Sequence, residues 1–277
     1  MQKVPAEIYK RINNEIYNQE GDKWWNNDFS LNLIKTIFNP FRVGYSKKIF
    51  DRLHMDAKGR TALEVGCGGG ILCEEISRLG FETFGIDPSS QSLGTASKHA
   101  ADSGLKINYC EGIGEALKFP DNFFDVVFCC DVLEHVQDLP KVVSEISRVL
   151  KPGGIFLYDT FNRTILSKLV AIKILQEWKR WAIMPPRLHE WGMFIKPAEI
   201  KSLLSQNNLT WIEHTGIMPD RSVFKVWRYL YLRATGKLTY AEFGSKFKMI
   251  ESSFTNVMFM GYAIKGKDFI KDQINIP

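Results

Sequence analysis

The sequence lacks several features that would place the protein in other classes. It has no run of 18 apolar residues, so we expect no membrane-spanning helix. Its first seven residues contain no apolar stretch of the kind that a secretory signal carries, and we therefore expect a cytoplasmic protein. None of its five cysteines forms a Cys-x-x-Cys pair, which argues against a structural zinc site and against a disulfide framework.

The composition is that of an ordinary globular protein, and only the distribution of charge is uneven. Hydrophobic residues make up 45% and charged residues 24% of 277 positions, enough for one sizeable α/β domain with additions. The net charge is +5, and residues 221–250 carry seven lysines or arginines against one acid, Glu242. This basic tract has no nucleic-acid recognition motif and its aromatic residues suit one helical face, so we expect a lid over a substrate and no nucleic-acid partner.

Strand-like and helix-like apolar segments alternate between residues 60 and 160. This alternation predicts an α/β fold with a Rossmann-like, doubly wound sheet of parallel strands. The predicted strands are 62–65, 83–86, 107–110, 125–130 and 154–159, and the predicted helices are 70–79, 89–103, 114–117 and 139–149.

The rest of the chain is expected to extend this fold at both ends. Residues 1–58 should form a helical N-terminal segment that contributes to the cofactor site, and residues 59–219 the sheet domain. A helical insertion, 163–195, interrupts that domain, and residues 220–277 should hold the basic-aromatic lid helix and the final strands. The other predicted elements are helices at 164–184 and 196–206 and strands at 211–215 and 256–265.

The most informative segment is Leu63 to Gly70, a short apolar strand that ends in four glycines. A strand, a glycine turn and a helix form a nucleotide-binding corner, in which a Cβ would keep the ligand away from the backbone. The dinucleotide pattern requires a third glycine where this chain has Ile71, and Glu64 precedes the turn. A carboxylate repels a pyrophosphate and attracts a cation. The corner therefore favours S-adenosylmethionine over NAD, with Gly66 and Gly68 as contacts.

Two further places are expected to hold the nucleoside. Asp87 ends the second predicted strand, where an acid can accept hydrogen bonds from both ribose hydroxyls. An acid there can also cap the helix that begins near Ser89. The loop after the third strand, around Ile113 and Gly114, is expected to meet the adenine through backbone groups.

Acidic and imidazole side chains cluster after the fourth predicted strand. Asp131, Glu134 and His135 would share one face if the turn there were helical. Such a face can hold a divalent metal such as Mg, present His135 as a general base, or be a capped turn with a satisfied histidine. His189, on the insertion expected to cover the cleft, is a second candidate base. The candidate catalytic residues are His135, His189 and Glu134.

Taken together, these segments resemble the class I S-adenosylmethionine-dependent methyltransferases, and most of all the ring O-methyltransferases of ubiquinone biosynthesis. The resemblance extends from about residue 20 to about residue 218 and ends before the basic tract. Its more specific parts are Asn-Pro-Phe-Arg-Val-Gly-Tyr at 39–45 and Phe-Ile-Lys-Pro at 194–197, because the glycine corner is common to the superfamily. The other shared segments are 24–25, 63–72, 134–136, 150–154 and 161–163.

The resemblance implies roles for individual residues. Arg42 would bind the methionine carboxylate of the cofactor, since guanidinium and carboxylate pair in a fixed fork. A divalent metal would be held by Asp131, Glu134 and His135, with Asp131 standing where the family has Glu. The implied cofactor contacts are Arg42, Gly66, Asp87 and Cys130.

The resemblance further implies O-methylation of a catechol-like or phenolic small molecule. A metal chelated by two catechol oxygens would lower the phenolic pKa and fix the geometry of transfer. Because residues 221–250 depart from the family, an N-, C- or non-aromatic O-methyltransferase of specialised metabolism is the second hypothesis.

Residues 164–183 raise the question of a peripheral membrane contact. The segment mixes apolar residues with lysines and arginine along a predicted helix. A basic amphipathic helix can lie on an anionic membrane and admit a lipid-tailed substrate, or it can pack on its own domain.

Overall fold

An eight-stranded sheet organises the protein, whose residues 3–266 are described by a computed structural model. The strand order is β3-β2-β1-β4-β5-β8-β6-β7. The first five strands in this order run parallel, as predicted, and β8 is antiparallel to both of its neighbours. The strands are β1 Thr61–Val65, β2 Glu82–Asp87, β3 Ile107–Glu111, β4 Phe124–Cys130, β5 Leu150–Phe161, β6 Leu209–Pro219, β7 Met249–Ser252 and β8 Met258–Lys265.

The site lies where the strand order reverses. β1 pairs with β2 on one side and with β4 on the other, so the chain leaves β1 at the topological switch point of the sheet. Every residue of β4 is buried, because helices cover both faces of the sheet and no side of this strand meets water. The predicted Rossmann-like α/β class is confirmed.

Helices pack on both faces of the sheet. The longer ones form at the predicted places, and several short helices near the termini were not separately predicted. The α-helices are α1 Ala6–Tyr9, α2 Ile16–Gln19, α3 Asn39–Arg52, α4 Ile71–Arg78, α5 Ser90–Asp102, α6 Leu139–Val149, α7 Ile165–Ser167, α8 Pro197–Gln206, α9 Val223–Ala234 and α10 Tyr240–Gly244. Single 3₁₀ turns occur at Gly21–Lys23, Ser30–Asn32, Leu133–His135 and Trp191–Met193, and π-helical segments at Ile34–Phe38 and Lys168–Glu177.

Helix α6 shows why these elements form where they do. The side chain of Asp138 caps its first turn by accepting a hydrogen bond from the amide of Lys141, and Pro140 occupies a first-turn position where no N–H is needed. Its apolar residues recur every three or four positions and join the core on one sheet face. The predicted bounds, 139–149, agree with the structure.

Two predicted helices differ from the structure. Residues 114–117 form a turn, because the amide of Leu117 donates to Glu145 Oε2 at 2.9 Å instead of continuing a helical turn. The helix expected to reach residue 184 ends at Glu177. The chain then folds back, and the amides of Ile183 and Met184 both donate to the carbonyl of Leu175.

The C-terminal tract builds a small core of its own. Leu230 of α9, Phe243 of α10 and Phe247 just after α10 are buried against Leu33 and Ile37 of the N-terminal segment. Strand β8, which was expected to belong to a separate C-terminal unit, lies inside the sheet between β5 and β6. The division of the chain at residues 58 and 219 stays a prediction.

No helix among residues 3–266 is both long enough and apolar enough to cross a lipid bilayer. In the segment 164–183, Ala171 and Ile172 are buried against the domain, whereas Leu169 and Trp178 are about half exposed. The segment therefore packs on its own domain with one side and leaves apolar side chains free on the other.

Candidate active site

A cleft of about 370 Å³ opens at the carboxyl ends of β1, β2 and β4. The glycine corner forms one wall, and the N-terminal segment and the insertion at 183–189 close over it. Most predicted site residues line this cleft, namely Gly66, Gly68, Asp87, Ile113, Gly114, Cys130, Asp131, His135 and His189. Arg42, Glu64 and Glu134 are buried beside it and are not part of its lining.

The glycines of the corner are required by both conformation and contact. Gly66 and Gly68 have φ values of +72° and +49°, in the left-handed region that side chains rarely adopt. A Cβ on Gly68 would lie 2.5 Å from Cζ2 of Trp24, and a Cβ on Gly66 would collide with Val132. The loop therefore has no room for side chains, which keeps its backbone at the surface of the cleft.

Asp87 braces this corner from the end of β2. Its Oδ2 accepts a hydrogen bond from the amide of Gly68 at 2.9 Å, and its Oδ1 accepts one from the amide of Ser89 at 2.8 Å. The cap of helix α5 is Ser89 itself, whose hydroxyl accepts from the amide of Ser92. Burial raises the pKa of Asp87. The helix-cap alternative for Asp87 is therefore wrong, and its ribose contact stays a prediction.

The N-terminal segment supplies side chains that sequence reasoning did not assign. The indole of Trp24 donates to Ser92 Oγ, and that of Trp25 donates to the carbonyl of Gly69, both at 2.9 Å. Tyr17 stacks on Trp24 with its ring centroid 6.0 Å away and lines the cleft. The tryptophan pair was the only local signal that this segment closes on the glycine corner.

Arg42 is engaged by two carboxylates of the protein. Its Nε donates to Asp159 Oδ2 at 2.6 Å and its Nη2 donates to Asp159 Oδ1 at 3.0 Å. Nη2 also bonds to Asp131 Oδ2, and Nη1 donates to Asn39 Oδ1 at 3.2 Å. Burial disfavours the charge of Arg42, but Asp131 and Asp159 outweigh it and raise its pKa well above the ordinary value. The contact of Arg42 with a methionine carboxylate stays a prediction.

The charge state of Glu64 differs from the one that the sequence led us to expect. Only 5% of the residue is exposed, and within the described part of the chain its Oε2 has no hydrogen-bond partner. Burial raises the pKa of Glu64 to about 8, so the group is mostly protonated at neutral pH. A protonated acid does not attract a cation, and the charge argument made from this residue applies only if a cationic ligand lowers its pKa again.

Glu134, His135 and His189 form a buried cluster at the other end of the cleft. Their ligand atoms lie within 4.8 Å of one another, and the two imidazole centroids are 4.8 Å apart. Glu134 Oε2 accepts from the hydroxyl of Thr160 at 2.9 Å, and the backbone of His189 exchanges two hydrogen bonds with the side chain of Gln176. Both supports come from residues distant in sequence, so the cluster is preformed.

The protonation states of this cluster follow from its burial. Burial lowers the pKa of His135 to about 4, and burial together with the neighbouring His135 lowers the pKa of His189 well below its ordinary value. Both imidazoles are therefore neutral at pH 7 and keep a free lone pair. Burial, followed by the charge of Asp131, raises the pKa of Glu134 to about 8.

The predicted metal ligands are brought together only in part. Asp131 has a φ of +54° and precedes the 3₁₀ turn at Leu133–His135, so it does not share a helical face with Glu134 and His135. Its carboxylate bonds to Arg42, and His189 takes the third place in the cluster. His189 was predicted as a candidate base, but its proximity to His135 could not be predicted from the sequence, because only the fold brings residues 135 and 189 together.

Comparison with known proteins identifies the family to which the chain belongs. A family described as a methyltransferase domain matches residues 63–158. The ubiquinone biosynthesis O-methyltransferase of Methylococcus capsulatus is 37% identical over 187 residues, which cover 67% of this chain and 76% of that protein. The chain belongs to the class I S-adenosylmethionine-dependent methyltransferases. A protein of the same name from Brucella anthropi is 34% identical to this methyltransferase over 210 residues, which cover 73% of this chain and 84% of the relative.

Solved structures show the same fold. The methyltransferase superposes on magnesium protoporphyrin IX methyltransferase from Synechocystis, which contains S-adenosylhomocysteine, with a TM-score of 0.61 and 17% identity over 91% of this chain and 97% of that chain. An S-adenosylmethionine-dependent methyltransferase from Aquifex aeolicus gives a TM-score of 0.52 and 14% identity, covering 94% of this chain and 97% of the other. At these identities the likeness concerns the fold alone.

The buried cluster of the methyltransferase fits a divalent cation by its unused atoms. Glu134 Oε1, His135 Nδ1 and His189 Nδ1 are buried and find no hydrogen-bond partner among residues 3–266. Buried polar atoms are normally paired, and an unpaired one calls for a proton donor, a water or an ion. One carboxylate oxygen and two neutral imidazole nitrogens make a donor set that several divalent cations accept.

Proposed function

We propose that this methyltransferase transfers a methyl group from S-adenosylmethionine to an oxygen of a phenolic, catechol-like small molecule. The observation that carries the proposal is the cluster of Glu134, His135 and His189. Its three buried atoms, unpaired among the described residues, lie beside the cleft that the glycine corner forms at its other end. The relatives named ubiquinone biosynthesis O-methyltransferase support oxygen on a ring as the acceptor.

The acceptor end of the cleft suits an aromatic ring with an apolar substituent. Its walls carry Leu33, Ile34, Phe38, Ile183 and Met184, which offer apolar contact and no charge. An aromatic acceptor loses unfavourable contact with water there and would be held with its polar edge towards the histidines. Such walls also exclude water, which would otherwise solvate the phenolic oxygen. Water itself competes only poorly as a methyl acceptor.

The residues of the chain divide the chemistry between the two ends of the cleft. S-Adenosylmethionine, when bound, supplies a methyl group on a sulfonium that leaves as a neutral thioether. The glycine corner and Asp87 would hold the nucleoside, and the apolar walls would align the acceptor oxygen with the methyl carbon for in-line transfer. A phenol has an ordinary pKa near 10, and a neutral imidazole of His135 or His189 can take its proton.

A divalent cation would be held by Glu134, His135 and His189. It would act as a Lewis acid that lowers the pKa of a chelated catechol. Without a cation, the same imidazoles would be the general bases. The mechanism with a cation and the mechanism without one differ in their response to a chelator, so the need for a metal can be tested separately.

The decisive experiment is a panel of catechols, phenols and amines with labelled S-adenosylmethionine, each run with EDTA and with added Mg²⁺. We expect catechol turnover to fall by roughly two orders of magnitude in EDTA and to return with Mg²⁺. Catechol turnover that EDTA leaves unchanged would remove the cation and leave the imidazole base. Turnover of amines alone would contradict the proposal and favour the N-methyltransferase hypothesis.

The second hypothesis, methylation at nitrogen, carbon or a non-aromatic oxygen, is favoured by one observation. The tract 221–250, which lies beyond the shared segments, does not line the cleft as the expected lid would. It packs instead behind Leu33 and Ile183, two residues of the acceptor wall. A change behind the wall can reshape the acceptor site, and the same substrate panel separates the two hypotheses.

We also propose that the segment 164–183 contacts an anionic membrane surface. Its half-exposed Leu169 and Trp178 stand beside exposed Lys173 and Lys179, a combination that binds anionic lipid. We expect flotation with phosphatidylglycerol vesicles and loss of flotation in the double variant K173E/K179E. The matched control K98E/K106E changes the charge equally on a distant surface, and equal loss in both variants would contradict the proposed segment.

A further inference from the structure

Two residues that were expected to face ligands, Arg42 and Asp131, are bonded to each other. We propose that Asp131 occupies the place of the cofactor's methionine carboxylate on Arg42, and that cofactor binding releases Asp131 towards the cluster of Glu134, His135 and His189. The exchange at Arg42 stands on the contacts of Arg42 alone. The second half, in which the released carboxylate assists a cation, rests on the proposed function.

Arg42 has a fixed side and an exchangeable side. Asp159 is fully buried and holds Nε and Nη2 in a fork at 2.6 and 3.0 Å, and Asn39 accepts from Nη1. Neither Asp159 nor Asn39 lines the cleft. Asp131 does line it, and 20% of its side chain is exposed. Of the three described residues bonded to the guanidinium of Arg42, Asp131 is thus the one that a ligand in the cleft can replace.

The charge balance favours exchange over addition. Arg42 contributes one positive charge and already faces two carboxylates, those of Asp131 and Asp159. A third carboxylate at the same guanidinium would add repulsion in a buried site, where an unbalanced charge is expensive. If the carboxylate of Asp131 leaves, the methionine carboxylate restores the number of carboxylates at the guanidinium and takes over the same Nη2 donor.

The backbone of Asp131 is anchored while its side chain is free to turn. Its φ is +54°, and its amide donates to Asp159 Oδ1 at 3.0 Å. The carboxylate can therefore rotate about its own side-chain bonds without disturbing β4, which ends at Cys130. Asp131 and His135 both line the cleft, so a carboxylate that leaves Arg42 remains in the cleft that the cluster borders.

A released Asp131 would change the cation site in a definite direction. Glu134, His135 and His189 offer one oxygen and two nitrogens, which is few oxygen ligands for a hard cation such as Mg²⁺. A second carboxylate adds both an oxygen and a negative charge. Cofactor and cation should then strengthen each other's binding, because a coupling between two sites is reciprocal.

The exchange itself is tested without any metal. In EDTA, the affinities of S-adenosylhomocysteine and of adenosine are measured by titration calorimetry for the native protein and for Asp131→Asn. Asparagine also adopts left-handed backbone readily, so the fold is retained, which an unchanged unfolding temperature would verify. We expect the variant to bind S-adenosylhomocysteine roughly fivefold more tightly and adenosine, which has no carboxylate, with unchanged affinity.

The opposite result has a clear meaning. If Asp131 were a merely structural partner of Arg42, or a ligand of the cofactor's ammonium group, Asp131→Asn would leave the affinity for S-adenosylhomocysteine unchanged or weaken it. Either outcome overturns the exchange.

The coupling is tested with Mn²⁺ as the probe, titrated with S-adenosylhomocysteine present, with adenosine present and with neither. We expect S-adenosylhomocysteine to tighten Mn²⁺ binding roughly fivefold, adenosine to leave it unchanged, and Asp131→Asn to abolish the difference. Equal Mn²⁺ affinity in all three conditions overturns the coupling. Failure of Mn²⁺ to bind at all overturns the proposed cation site as well, while the metal-free titration of the exchange is unaffected.

Discussion

The two walls of the cleft differ in which part of the chain determines their shape, the backbone or the side chains. The cofactor wall comes from the ends of successive parallel strands between residues 65 and 132, and its shape is set by backbone, with Gly66 and Gly68 in left-handed conformations. The acceptor wall comes from residues 31–38 and 183–189, which lie far apart in the chain and in short irregular helices and turns. It is made of apolar side chains, and no left-handed glycine constrains it.

This difference separates what is shared from what is specific. A wall of backbone tolerates almost no substitution, whereas a wall of apolar side chains can exchange one shape for another at modest cost. We therefore expect changes in the first wall to alter cofactor affinity, changes in the second to alter acceptor choice, and changes in the histidine cluster to alter turnover alone.

The largest effect is expected in the histidine cluster. His189→Gln should lower kcat by roughly 10³-fold, because the acceptor proton loses either its base or its cation site. In EDTA, where no cation can couple the two sites, the affinity for S-adenosylhomocysteine should not change, which calorimetry would show beside the rate assay. His214→Gln is the control, since His214 packs on Trp211 and Phe259 outside the cleft. A matching loss of cofactor affinity in His189→Gln would break the division between the walls.

The next effect is on the glycine corner. Gly68→Ala combines a left-handed φ with a Cβ 2.5 Å from Trp24, and should weaken S-adenosylhomocysteine binding roughly 100-fold. Gly59→Ala is the control, because Gly59 has a φ of +76° and open space around its Cβ position. It should lower the free energy of unfolding by about 1–2 kcal/mol and leave cofactor affinity intact. Equal loss of affinity in both variants would show that strain alone explains the effect.

A moderate effect concerns stability and pH through Glu64. Its folded pKa, about 8, lies above the ordinary value of 4.5, so the folded state binds the extra proton between these values. This contribution to stability is fully present below about pH 4.5 and is lost as pH rises through 8. Glu64→Gln should therefore flatten the decline and be more stable than the native protein at pH 8.5 by about 2–4 kcal/mol. Urea unfolding at pH 6 and 8.5 checks this, and parallel pH profiles would disprove it.

The smallest effect is expected in the acceptor wall. Ile34→Val removes one methylene-sized group from the cleft and should raise KM for an apolar acceptor about fivefold, with the affinity for S-adenosylhomocysteine unchanged. Ile165→Val makes the same deletion at a side chain that is 83% exposed, and should change neither quantity. A change in cofactor affinity in Ile34→Val would blur the difference between the two walls.

The fold was predictable where the signal was local. The glycine run after an apolar strand, the alternation from residue 60 to 160 and the capped, amphipathic segment 139–149 all depend on neighbouring residues, and they were interpreted correctly. The tryptophan pair at 24–25 gave a weaker signal of the same kind. The helices predicted at 114–117 and up to residue 184 were wrong. The first is replaced by a turn whose Leu117 amide donates to the distant Glu145, and the second ends at Glu177, where the chain reverses and bonds back to Leu175.

The site was predictable as a list and not as an arrangement. Nine of the predicted residues line one cleft, yet the pairing of Arg42 with Asp131 could not be inferred, because it depends on a left-handed residue at the end of β4. The same holds for Asp159, which no pattern marked. It follows the apolar run 155–158 of β5, and it is the residue that orients Arg42.

The position of strand β8 has a consequence for how the protein folds during synthesis. It fills the gap between β5 and β6, so the sheet has two unsatisfied edges until residues 258–265 have left the ribosome. Until then, the buried strand β5 presents free amides and carbonyls to any other nascent chain. The last of the described strands thus closes the middle of the sheet, and folding of the complete sheet must wait until it has been made, which makes the stretch of translation before it a period of aggregation risk.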